Sequence, residues 1–133
     1  MHPFRTAIES GETDGITELF AADVVFNSPV VFRPYEGRET LEVLLRAVLA
    51  VFEDFRYERE IGADGDRDHA LVFKARVGTR EIEGCDFFHT NDDGLIDRFT
   101  VMVRPLSGML ALQEAMKVQV EAVQREMGVE TAA

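Results

Sequence analysis

The spacing of apolar positions changes along the chain, and each change predicts a different kind of element. Near the start, Phe4, Ala7 and Ile8 fall on one helical face, and Gly11 is placed to end that helix. Thr13 can cap a second short helix whose Ile16, Leu19 and Phe20 point one way. Val24 to Phe26 then reads as a short strand, stopped by Ser28 and Pro29. The stretch from Pro29 to Gly37, with two prolines and a tyrosine, reads as an ordered loop. Leu41, Leu44, Leu45, Val48 and Phe52 follow the helical spacing over about three turns.

The period then falls to two. FRYEREI, from Phe55 to Ile61, alternates apolar and charged residues except at Arg59, which breaks the pattern on the apolar side. After the turn ADGDRD, Ala70 to Val77 reads as a strand, and Gly78-Thr79 offers a tight turn into a long strand from Arg80 to Thr90. NDDG makes another turn into Leu95 to Arg104, which Pro105 stops. A last helix carries an apolar stripe of Leu106, Met109, Leu110, Met116, Val120, Val123 and Met127, with Gly128 placed to close it. Hairpin links predict an antiparallel sheet, and segregated helices predict the α+β class. No linker or repeat divides the 133 residues, so residues 1–133 are expected to form one domain.

Composition narrows the partners. The net charge of −11 repels phosphate backbones, and no Lys/Arg cluster opposes it, which argues against nucleic acid. The longest apolar run, Ala47 to Phe52, is too short to span a bilayer, and no basic-then-apolar leader opens the chain, so a cytoplasmic protein is expected. The single cysteine, Cys85, excludes an intramolecular disulfide and a cysteine-rich zinc site. His2, His69 and His89 read as scattered between a terminus, a turn and an outer strand face, which argues against a metal triad. No glycine-rich nucleotide loop occurs. No metal or cofactor is expected.

One residue stands against its surroundings. In IEGCDFFHT, strand parity puts Ile82, Gly84, Asp86, Phe88 and Thr90 on one face and Glu83, Cys85, Phe87 and His89 on the other. Phe73 and Ala75 on the preceding strand, with Phe99, Val101 and Val103 on the following one, would surround Asp86, and Gly84 would leave a gap beside it. An ionised carboxylate there costs several kcal/mol unless compensated. Two uses are open: a hydrogen-bonded core residue tied to an arginine or a loop amide, or an acid/base group whose pKa burial raises. Arg33 and Tyr35 are equally open as loop anchors or as the rim of a pocket. Met109 and Met116 read as core.

AIESGETDGITELFAADVVFNSPV, the later YEGR, and EGCDFF leading to FTVMVRP together resemble the nuclear-transport-factor-2-like superfamily, and within it the polyketide-cyclase-like (SnoaL-like) branch. The likeness runs from about Phe4 to Val120. It implies a cone-shaped curved antiparallel sheet wrapped by about three helices, an apolar pocket at the open end, and a homodimer formed through the outer sheet face. Ketosteroid isomerases of this superfamily use an aspartate base with an oxyanion hole of tyrosine and protonated aspartate. By that likeness Phe4 stands where the tyrosine would be, Ser28 where the base would be, and only Asp86 remains. The epoxide-hydrolase pattern of two aspartates and an arginine also fails, because Gly84 occupies the arginine position and the last strand has no matching carboxylate. The polyketide-cyclase-like members imply an inward aspartate that assists an intramolecular aldol closure. The expected site is therefore Asp86 as acid/base or hydrogen-bond donor, with Phe4, Ser28, Tyr35, Phe52, Phe73, Ala75, Gly84, Phe88, Phe99 and Val101 around an apolar small molecule. A non-catalytic binder and a dimeric interaction module remain the alternatives.

Overall fold

A computed structural model describes residues 1–11 and 13–127, without the side chains of residues 126 and 127. Helix α1 (Pro3–Ser10) starts where the His2 ring accepts a bond from the Phe4 N–H, and Gly11 ends it at φ 74°. The next turn is a short 3-10 helix, Ile16–Leu19. Gly15, at φ 79°, precedes it and no side chain caps it, so Thr13 does not play the expected role. Phe20 already belongs to strand β1 (Phe20–Asn27), which is longer than the apolar triplet Val24 to Phe26 suggested.

The loop after β1 includes a two-residue strand, β2 (Tyr35–Glu36), paired antiparallel with β1. Helix α2 (Arg38–Val51) ends one residue before Phe52, which turns into extended backbone and lies outside the helix. Four strands follow in hairpin succession: β3 (Glu53–Ile61), β4 (Asp68–Val77), β5 (Arg80–Thr90) and β6 (Ile96–Arg104). Helix α3 (Leu106–Met127) begins directly after Pro105. The side chain at position 127, and Gly128 as a closing residue, lie outside the described residues.

The six strands form one sheet in the order β2-β1-β6-β5-β4-β3. The hairpin expectation holds from β3 to β6, but β1 lies parallel to β6, so the curved sheet is mixed. Local geometry predicts the hairpins; the distant β1 contact had no turn to announce it. The register of β3 on β4 slips between Tyr57 and Arg59. An extra residue there bends and twists a strand and reverses which side chains point inward. Arg59 is thereby exposed, and Glu60 turns toward α1, which explains the broken alternation. Glu60 accepts bonds from the His2 backbone N–H (3.0 Å) and from Arg5 (3.1 Å), tying α1 to β3.

The concave face carries the core. The buried pattern of β5 alternates as parity requires, with Ile82, Gly84, Asp86, Phe88 and Thr90 inward. Helices α2 and α3 close this face, joined by Val43, Ala47 and Val123. On the convex face Phe87 and Met102 are exposed.

Candidate functional site

Between the concave sheet face, α2 and α3 lies a cavity of about 420 Å³. Two aromatic groups form much of its wall. Phe4, Phe20, Phe26 and Phe99 interlock on one side, with ring centroids 5.2 to 5.9 Å apart. Phe52, Phe55 and Phe73 stack on the other at 5.0 to 5.6 Å. Among the lining residues of β3 to β6, only Tyr57 and Asp86 carry polar side chains.

These two meet. The Tyr57 hydroxyl donates to Asp86 Oδ2 at 2.9 Å, in a buried bond between β3 and β5. Asp86 is 6 % exposed and Tyr57 7 %. Burial pushes the Asp86 carboxyl up to about 7, against the opposing effect of the Tyr57 bond, which favours the ionised form. Burial and the neighbouring Asp86 charge hold the Tyr57 phenol well above its usual range, so it remains a donor. Among the described residues no hydrogen bond reaches Asp86 Oδ1, and Asp86 lines the cavity. Its carboxyl therefore has one oxygen fixed by protein and one free for a ligand. Near neutral pH it is present both as an acid that can donate and as a carboxylate that can take a proton.

Sequence parity brought out Asp86 but not its partner. In place of the arginine or loop amide that one of the two open uses called for, its partner is a phenol on β3, two strands earlier in the sequence. A signal existed: an inward tyrosine needs a partner for its hydroxyl, and Tyr57 shares the inner side of β3 with Phe55. The register then completes the path, with Tyr57 opposite Phe73, and Phe73 opposite Gly84, one inward position from Asp86. On its other flank the Tyr57 ring lies 5.8 Å from the Arg5 guanidinium, which is itself paired to Glu9 and Glu60.

The remaining expected positions separate into two groups. Phe4, Ser28, Tyr35, Phe52, Phe73, Phe99 and Val101 line the cavity with Asp86. Ala75, Gly84 and Phe88 do not, although all three are on the concave face. Gly84 leaves no gap: Phe73 fills it, and a Cβ there would stand 2.3 Å from Phe73 Cζ. Phe88 is covered by Phe99, Phe4, His69 and His2. Ala75 is buried next to Ile82 on the neighbouring strand.

Ser28 is used by its own loop. Its hydroxyl oxygen accepts from the Val31 N–H at 3.0 Å and the Val30 N–H at 3.3 Å, shaping the turn that forms part of the wall. Tyr35 stacks on Phe26, while Arg33 is exposed and does not line the cavity. Helix α3 supplies wall residues that strand reasoning did not reach, among them Leu112, Gln113, Met116 and Val120. Met116 thus serves both core and cavity.

The histidines are not scattered as expected. His2 and His69 place their rings 5.1 Å apart, both against Phe88. His2 is occupied as a helix cap, and His69 Nε2 meets the Asp66 carbonyl at 2.7 Å. Among the described residues no group of three His, Cys, Asp or Glu side chains is placed to hold a metal. None of the described helices is long and apolar enough to cross a membrane.

Residues 2–99 match the family of SnoaL-like domains. Among solved structures, a steroid delta-isomerase from Pseudomonas aeruginosa is 37% identical with a TM-score of 0.78, covering 92% of this chain and 95% of that one. An uncharacterised protein with a cystatin-like fold from Silicibacter pomeroyi DSS-3 is 33% identical with a TM-score of 0.85, over 96% and 92% of the two chains. A de novo designed protein with a curved β-sheet shares the fold at 12% identity and a TM-score of 0.68, over 86% and 89%. Among curated proteins no match is found.

Proposed function

The chain belongs to the SnoaL-like domain family, and from that premise we propose that its cavity binds an apolar, ring-sized carbonyl compound on which Asp86 acts as acid/base. The observation that carries this reading is the Asp86 carboxyl itself, buried in an aromatic cavity, held by Tyr57, with a pKa of about 7. An apolar pocket with few placed polar groups is the usual make-up of a small-molecule site. The steroid isomerase named above supports a cyclic ketone as the class of ligand.

The chemistry available is that of a single carboxyl group. As the acid, Asp86 donates a proton or hydrogen bond to the carbonyl oxygen and polarises it. As the carboxylate, it removes a proton from the carbon beside the carbonyl and leaves an enolate. Returning that proton to a more distant carbon shifts a double bond, which is an isomerisation. Alternatively the enolate carbon bonds to a second carbonyl of the same molecule, and the new alkoxide takes the proton back, which is an aldol closure. Tyr57, acting through Asp86, orients the carboxyl and favours its ionised form. Phe4 cannot donate and Ser28 is committed to its turn, so neither adds a second base or donor. Folding the substrate into reactive geometry would supply much of the rate.

The convex face favours a second, compatible reading, a homodimer. Val72, Cys85 and Met102 lie side by side across β4, β5 and β6, and Ile61, Ala70 and Phe87 form the next row. Ile61, Phe87 and Met102 are each at least 42% exposed, which is an apolar patch suited to a second copy.

The test is a thermal-shift screen of wild type and Asp86→Asn against cyclic ketones, phenols and polyketide-like compounds. A ligand that binds the native state raises its melting temperature by mass action. Stabilisation of wild type that the substitution alters supports the site, and turnover assays follow on that scaffold. Absence of any shift across the panel would leave Asp86 a structural residue and favour the interaction module.

A further inference from the structure

The bond between Tyr57 and Asp86 has a charged neighbour. Helix α1 brings Arg5 against β3, where its guanidinium stands 5.8 Å from the centre of the Tyr57 ring. Two carboxylates hold it there: Arg5 donates to Glu9, one turn further along α1, at 3.1 Å, and to Glu60 of β3 at 3.1 Å. Glu60 is fixed in turn, because its second carboxylate oxygen accepts the His2 backbone N–H at 3.0 Å. The Arg5 and Glu60 side chains are 22% and 16% exposed, so water screens this cation only in part.

A chain of contacts therefore runs from guanidinium to phenol ring, and from phenol hydroxyl to the carboxyl that lines the cavity. A cation over an aromatic face is attracted by the negative charge of the ring. In a phenol the same field makes the hydroxyl a stronger donor, and a stronger donor to Asp86 Oδ2 favours the carboxylate over the acid. Around the phenol, burial, Asp86 and Glu9 oppose loss of its proton, and Arg5 favours it. Strand β4 meets it with Phe73 and adds no charge.

The surroundings of Asp86 itself are apolar. Leu71 of β4 and Val101 of β6 lie opposite it in the sheet. Across the cavity α2 presents leucines and Val48, and the charged wall residues of α3, Lys117 and Glu121, are exposed. Burial and the Tyr57 bond set the ionisation of Asp86, so Arg5 reaches it through the phenol.

We infer that Arg5 is a positioning residue for Asp86: stacked on Tyr57, it orients the phenol, strengthens its bond to the carboxyl and tips that carboxyl towards its proton-accepting form. This rests on the acid/base reading of Asp86 proposed above. Helix α1 then serves the site twice, with Phe4 and Ile8 in the cavity wall and Arg5 behind the reacting group.

The test is a carboxyl-selective NMR titration of Asp86 in wild type, Arg5→Met, Arg5→Lys, Tyr57→Phe and the double variant of Arg5→Met with Tyr57→Phe. Arg5→Met keeps the apolar stem and removes the charge, and should raise the Asp86 midpoint by about 0.2–0.5 pH unit. Arg5→Lys keeps a cation and should restore most of the difference. In the Tyr57→Phe background, Arg5→Met should change nothing further. Should Arg5→Met fail to fold, Arg5→Gln carries the same comparison.

Equal midpoints in wild type and Arg5→Met overturn the inference, since a purely structural tie between α1 and β3 would lower stability and leave the titration in place. A shift of the same size with and without the Tyr57 hydroxyl also overturns it, because the charge would then act on Asp86 directly. Binding of tetralone, a fused-ring ketone, separates the two readings. If tetralone binds and Asp86→Asn leaves that binding unchanged at every pH, the acid/base reading falls and this inference with it. If binding responds to Asp86→Asn while Arg5→Met leaves the midpoint unmoved, this inference alone is overturned.

Discussion

Burial governs the ionisation of Asp86. Its ordinary value is 3.8 and burial raises it to about 7. Between these values the native chain holds a proton that the unfolded chain releases. Its contribution to stability is therefore complete below about 3.8 and is lost as pH rises through about 7, at most roughly 4 kcal/mol. Asp86→Asn cannot ionise and should flatten this decline, so urea unfolding at about pH 5 and pH 8 should show the mutant gaining on wild type at the higher pH. Tyr57→Phe removes the donor and leaves Asp86 Oδ2 unpaired, costing about 1–2 kcal/mol. It should also move the Asp86 titration upward, which carboxyl-selective NMR would record as a higher midpoint. The sequence exposed the carboxylate through its parity among apolar neighbours. It hid the phenol, because Tyr57 and Asp86 are 29 residues apart and meet only through the β3–β4 register.

At the level of elements, regular alternation was legible and irregularity was not. The hairpins β3 to β6 follow from period-two patterning and glycine turns, and both long helices follow from their apolar stripes. The β3 slip was visible only as a misplaced Arg59, since a bulge is marked by its effect on parity rather than by a fixed motif. The contact of β4 with β5 also fixes a glycine. Gly84→Ala would drive a methyl into the Phe73 ring and toward the Met102 carbonyl, which lies 2.9 Å from the Cβ position. The expected cost is about 1–3 kcal/mol, read from urea unfolding. Because Phe73 lines the cavity, the same change should weaken binding of any ring-sized ligand that wild type takes. Helix α3 was predicted as a helix, but its position over the cavity depends on tertiary packing against α2 and β5, which no local spacing encodes.

The whole molecule joins two apolar surfaces, one on each face of the sheet. The concave one is enclosed by helices around a cavity, while the convex one leaves Phe87 and Met102 exposed. If the convex face pairs with a second copy, light scattering after size exclusion should give a dimer mass for wild type and a monomer mass for Phe87→Lys. A monomeric wild type would remove that reading. The mixed sheet was the global feature least available to sequence, because the β1–β6 pairing joins strands about 70 residues apart. The central claim is that Asp86 meets the ligand's carbonyl oxygen in the cavity, and calorimetric titration of tetralone, a fused-ring ketone, across about pH 5.5 to 8.5 tests it most directly. A neutral carboxyl donates to a ketone and a carboxylate does not, so wild-type affinity should fall as pH rises through about 7. Asp86→Asn should bind with no such dependence. Equal, pH-independent binding by both proteins, or no binding by either, would contradict the account.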